Sequence, residues 1–176
     1  QHGYAIVTPL GYIREGWFGS RPAAVEQDGV YSELDVMNVL ALVQEELRID
    51  SDKLFLWGHS MGGGGTYHIA AKHPELFAAL GVAAPAPAIS APRDDILDAI
   101  SHLPIFVLQG DQDDLVPVEV TRDWVAAMAE RGMQHIYVEI AGGDHSPCAL
   151  VAPVRPVLPP TGTIAIFLAK QARAIA

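Results

Sequence analysis

Ser60 has the neighbours of a nucleophile. It stands in Gly58-His59-Ser60-Met61-Gly62, a G-x-S-x-G pattern set between the apolar run LFLWG and four glycines in a row. A hydroxyl attacks poorly unless a base removes its proton, so the pattern calls for a histidine. The chain has seven. His2 is terminal. His59 lies inside the tight turn and is expected to point away from the attacking face. His68 and His73 fall on or at the end of the helix that follows, and His102 and His135 precede strands. His145, in IYVEIAGGDHS, follows the carboxyl end of a predicted strand in a glycine-loosened loop, which makes it the candidate base. An imidazole base needs a carboxylate to orient it. Asp111, Asp113 and Asp114 cluster after PIFVLQG, and spacing alone does not choose among them. The chemistry implied is nucleophilic acyl transfer.

These residues must be carried to one place by the elements before them. YAIVTPL, KLFLWG, FAALGVAAP, PIFVLQG and HIYVEIAGG read as strands, being short, apolar and bounded by turn residues. SELDVMNVLALVQEEL carries apolar residues near helical spacing, with Ser32 and Asp35 in the S-x-x-[DE] capping pattern. MGGGGTYHIAAKH predicts a helix closed by Pro74. RDDILDAI and EVTRDWVAAMAERG predict two more, the second ending at Gly132. After a proline-rich loop from Ser146 to Pro160, TIAIFLAKQARAI predicts a final helix. Alternation of strand and helix predicts an α/β fold, a mostly parallel sheet with helices on both faces, in a single domain over residues 1–176. In such a sheet, ligands bind at the carboxyl ends of the strands, where Ser60, the aspartates and His145 all lie. A strand turning at once into a helix forces the serine into a strained backbone and aims the first helical N–H groups at whatever it attacks.

Composition narrows the partners. Twenty-one acidic against 11 basic residues give a net charge of −10, which disfavours nucleic acid and anionic membrane surfaces. The longest small-apolar stretch, LFAALGVAAPAPAISAP, is broken by prolines and predicts no membrane insertion. The single cysteine, Cys148, excludes an intrachain disulfide framework and leaves the compartment open. The first residues lack the pattern of a signal peptide. The chain opens on Gln1 and reads as a processed form or a piece of a longer protein. The glycines match neither a G-x-x-x-x-G-K-[ST] phosphate loop nor a G-x-G-x-x-G fingerprint. His68 and His73 are not in an H-E-x-x-H pattern, so no metal and no organic cofactor is expected.

Three stretches together, GHSMGG with KHPELFAAL, LQGDQDDLVP, and GGDHS, resemble the α/β-hydrolase superfamily. The likeness is closest to its esterase, polyhydroxyalkanoate-depolymerase and dienelactone-hydrolase-like branch. The resemblance implies the acid through a G-x-x-D-x-x-V-P stretch, which falls on Gly110, Asp113, Val116 and Pro117. It implies Ser60, Asp113 and His145 as a triad acting on a small-molecule ester. The N–H of Met61 should be one oxyanion donor. The family's usual His-Gly loop for the second is missing, leaving Leu10-Gly11-Tyr12, with Gly11 as candidate. Tyr12, Trp17, Phe18 and Val116 are candidates for lining an acyl pocket. Family members also carry strands before YAIVTPL. Here either YAIVTPL pairs with KLFLWG directly, or a neighbouring chain fills the gap as a homo-oligomer. A serine peptidase, a perhydrolase and a non-catalytic truncated domain are the competing readings.

Overall fold

The computed structural model describes residues 4–22, 25–87, 91–146 and 164–170. The run around KLFLWG forms β2, Ile49–His59, with Leu54 and Leu56 pointing into the core and Phe55 and Trp57 less covered. This is the period-2 pattern of a strand. Its parallel neighbour is β3, Ala79–Ala83, in register from Phe55 opposite Ala79 to His59 opposite Ala83. The sheet continues in parallel through β4, Ile105–Gly110, and β5, His135–Ile140. The chain therefore places the carboxyl ends of β2, β4 and β5 along one edge.

Helices make the crossovers: α1, Glu26–Glu46; α2, Met61–Lys72; α3, Asp94–Ala99; and α4, Val118–Glu130. A 3₁₀ segment at Arg14–Gly19 precedes α1, and a short one at Pro74–Leu76 follows α2. Between helices and sheet lie Leu54, Leu56, Ile69, Val82, Leu97, Val107 and Met128, all at most 1% exposed. Each such side chain contributes about 1.5 to 3 kcal/mol by leaving water. The Tyr67 ring of α2 stacks on Trp124 of α4, with centroids 4.9 Å apart, and so ties two crossovers together.

Two sequence expectations are corrected here. TIAIFLAKQARAI is not a helix over its described part. Residues Ile164–Lys170 form β6, antiparallel to both β1 (Tyr4–Val7) and β2. A short apolar run carries no period that separates strand from helix, and the trailing Ala, Lys, Gln and Arg are good helix formers. The two open edges of β1 and β2 decide the matter by offering hydrogen-bond partners on both sides. The sheet order is β1-β6-β2-β3-β4-β5, so β6 fills the gap expected between YAIVTPL and KLFLWG, and neither direct pairing nor a neighbouring chain is needed. The second correction concerns α1, which starts at Glu26, so Ser32 is no cap. Ser32 is buried inside the helix, and its hydroxyl bonds the Ile13 backbone. Most of the Ser146–Pro160 loop lies outside the described residues, as do His2 and Cys148.

Candidate active site

Ser60 has φ 56° and ψ −117°, a combination that residues with a side chain rarely adopt. The surroundings hold it there. Its N–H donates to the Ala83 carbonyl at 2.9 Å, and its own carbonyl accepts from Gly63, Gly64 and Ala86. A Cβ at Gly58 would overlap the Gly62 carbonyl, which is why the position two before the serine must be glycine. The run Gly62–Gly65 has a second purpose. A Cβ at Gly63 would come within 2.8 Å of Pro85, and one at Gly65 within 2.9 Å of Phe18. A Cβ at Gly64 would overlap the Ala86 carbonyl. The glycines let α2 approach its neighbours closely enough to hold the bend.

The loops after β4 and β5 bring an acid and a base to the serine. His145, after β5, places Nε2 2.8 Å from Ser60 Oγ. Its Nδ1 lies 3.0 and 2.9 Å from the two carboxylate oxygens of Asp113, after β4. A carboxylate only accepts, so Nδ1 carries the proton and Nε2 faces Ser60 with its lone pair. Asp113 Oδ1 also accepts the Leu115 and Val116 N–H groups, each at 2.8 Å, and Oδ2 accepts from the Gln109 amide at 3.0 Å. Burial works to raise the Asp113 pKa. The Val116 N–H, His145 and the Leu115 N–H together outweigh it and hold the group below its ordinary value.

The other two aspartates do different things. Asp111 Oδ1 accepts the Gly142 N–H at 2.7 Å and so fastens the loop that bears His145. Asp114 is exposed. Met61 is the first residue of α2, so its N–H has no helical carbonyl to satisfy it. Gly11, the expected second oxyanion donor, is corrected: its N–H is taken up by Asp35 Oδ2 at 2.9 Å. Asp35 stands 24 residues away, and nothing local in Leu10-Gly11-Tyr12 signals that contact.

The expected pocket residues have packing partners of their own. The Tyr12 ring meets Tyr31 edge-on, and Trp17 lies under the Arg21 guanidinium at 3.8 Å. Phe18 is buried against Gly65 and Gly11. Val116 is buried beside Asp113 and contributes its N–H there. His68 and Lys72 both bond Glu33. His59 departs from expectation. It is buried, its Nε2 donates to the His145 carbonyl at 2.7 Å, and its ring centroid lies 5.1 Å from that of His145. It therefore sits at the catalytic edge. Burial lowers its pKa and keeps it neutral beside His145. Among the described residues no cluster of three or more His, Cys, Asp or Glu could hold a metal ion. No helix among them is long and apolar enough to cross a membrane.

The Esterase family model ("Putative esterase") matches residues 31–149, which include Ser60, Asp113 and His145. The chain belongs to this esterase family. Among its curated relatives, Cutinase 2 of Thermobifida cellulosilytica is 39% identical over 98 residues, covering 56% of this chain and 35% of the cutinase. Cutinase 1 of the same organism is 30% identical over the same length, with the same coverage. The chain thus spans about a third of the length of these relatives. A solved thermostable esterase superposes with TM-score 0.56 at 31% identity, over 62% of this chain and 28% of that one. An alpha-beta serine hydrolase homologue from Coxiella burnetii gives TM-score 0.56 over 77% of this chain and 60% of that one. At 22% identity it speaks for the α/β-hydrolase fold alone.

Proposed function

We propose that this member of the esterase family is a serine hydrolase of short-chain carboxylic esters, with Ser60 as nucleophile, His145 as base and Asp113 as the acid that orients it. The observation that carries the reading is the unbroken contact from Ser60 Oγ to His145 Nε2 and from Nδ1 to Asp113. In the first step Ser60 Oγ attacks the ester carbonyl carbon while its proton passes to His145 Nε2. Asp113 stabilises the imidazolium so formed, and the Met61 N–H faces the developing oxyanion. The C–O bond to the alcohol breaks, and the alcohol leaves with the proton from His145. Water then attacks the acyl-enzyme, losing its proton to His145. Collapse of that intermediate frees the carboxylic acid and returns the proton to Ser60.

Ester rather than peptide chemistry is favoured by the esterase family and by the cutinases among the relatives. An alkoxide is also a better leaving group than an amide nitrogen. An organophosphate tests the reading directly. A dialkyl fluorophosphate should add one phosphoryl group to the wild type, located by mass spectrometry on Ser60, and none to Ser60→Ala. A label elsewhere, or none, would overturn the assignment.

A further inference from the structure

Gln109 is a fully buried amide near the end of β4, in the otherwise apolar run IFVLQG. An amide in such a place costs stability unless its groups are bonded. Its Nε2 lies 3.0 Å from Asp113 Oδ2, 3.2 Å from the Gly110 carbonyl and 3.2 Å from the Val116 carbonyl. Carbonyls and an ionised carboxylate can only accept, so the NH₂ and not the oxygen must face them. The amide oxygen is then turned the other way and needs a donor. The Thr121 hydroxyl supplies it at 2.9 Å, from a side chain 1% exposed near the start of α4. A flipped amide would set its oxygen against three acceptor oxygens, and the Thr121 hydroxyl, which can accept as well as donate, would not make up for them.

We propose that Gln109, oriented by Thr121, is a positioning residue that fixes the Asp113 carboxylate against His145. The proposal rests on the triad reading above. The two backbone donors, Leu115 and Val116 N–H, both hold Oδ1. Gln109 holds Oδ2, so it opposes rotation of the carboxylate about its own axis. It does so without a charge. A cation there would weaken the pull of Asp113 on the imidazolium, and an anion would repel the carboxylate.

Three substitutions test this on the whole chain with a short-chain nitrophenyl ester. Gln109→Leu should lower kcat about 10- to 100-fold with KM changed less than about twofold, since a misplaced catalytic group costs rate more than binding. Gln109→Glu keeps the shape and sets a second carboxylate against Asp113. Two carboxylates in contact share a proton, and the pair's own loss of that proton should then limit activity and move the acid limb of the kcat/KM profile up by about one pH unit or more. Thr121→Val should lose part of the rate, Thr121→Ser should restore it, and Gln109→Leu with Thr121→Val should be no slower than Gln109→Leu alone. If Gln109→Leu does not fold, the isosteric Gln109→Glu profile and the Thr121 pair decide. An active, Ser60-labelled wild type with an unshifted Gln109→Glu profile and a Thr121→Val of wild-type rate would overturn the role of Gln109 alone. A wild type that neither turns over esters nor takes the label would overturn the triad reading beneath it.

Discussion

Gly110 lies so close beneath Gly143 that a Cβ on it would overlap the Gly143 carbonyl. The contact joins the loop that bears Asp113 to the loop that bears His145. Two backbone bonds reinforce it: Gln112 N–H to the Gly143 carbonyl at 2.8 Å and Asp111 N–H to the Ile140 carbonyl at 3.2 Å. The distance from acid to base is thus set by main chain as well as by the side chains themselves. Gly110→Ala should push the loops apart, cost about 1 to 3 kcal/mol of stability as overpacking does, and lower kcat by more than that loss of folded protein accounts for. Melting temperature and kcat, measured together, check it. An alanine variant with wild-type values of both would show that the two loops do not depend on this approach.

The backbone of Ser60 makes a separate prediction. Ser60→Gly and Ser60→Ala both lose the hydroxyl, but only glycine takes φ 56°, ψ −117° without strain. Such strain is worth about 1 to 3 kcal/mol, and the flexibility of unfolded glycine takes back about 0.5 to 1 kcal/mol. The glycine variant should therefore be more stable than the alanine variant by roughly 1 kcal/mol in urea titrations. An alanine variant of equal or greater stability would mean that the bend stores no strain.

Much of this site is legible in the chain before any coordinates. G-x-S-x-G after an apolar strand locates Ser60, and the loops after PIFVLQG and HIYVEIAGG hold the residues that meet it. What is not legible depends on distant partners. β6 reads as a helix because its pairing with β1 and β2 lies in the sheet and not in its own residues. His59 reads as turned away because its partner is a carbonyl 86 residues on. Gly11 reads as a free donor because the claim of Asp35 upon it is invisible locally. Gln109 had a signal, a lone amide in an apolar strand, but its partners Thr121 and Asp113 appear only once α4 is in place.

Stability should depend on pH through His59 and Asp113. The folded-state pKa of His59 is lowered from its ordinary 6.5, first by burial, so the unfolded chain binds the proton more readily. The stability it contributes is complete above the unfolded value and is lost as pH falls below about 6.5. Asp113, also lowered, adds a second loss as pH falls from its ordinary 3.8 toward the folded value. His59→Gln, which keeps a donor for the His145 carbonyl, should show a smaller drop in Tm between pH 7.5 and 5.5 than the wild type. Equal drops would show that His59 does not carry the acid loss of stability.

The three aspartates of the β4 loop should separate by function. Asp113→Asn should lower kcat about 10³- to 10⁴-fold, because the amide presents the wrong partner to Nδ1–H. Asp114→Asn should change little. Asp111→Asn should act only through the Gly142 N–H that it accepts, with a loss well below that of Asp113→Asn. Steady-state rates of the three variants rank them, and a larger loss at Asp111 or Asp114 would move the acid to another residue.

If ester hydrolysis passes through Ser60 Oγ, kcat/KM for a short-chain nitrophenyl ester must depend on that hydroxyl. Measured on folded wild type and Ser60→Ala with spontaneous hydrolysis subtracted, it should fall by roughly 10⁴- to 10⁶-fold on loss of the hydroxyl, as in other triads. A Ser60→Ala protein that kept a tenth or more of the wild-type value would rule Ser60 out as the nucleophile.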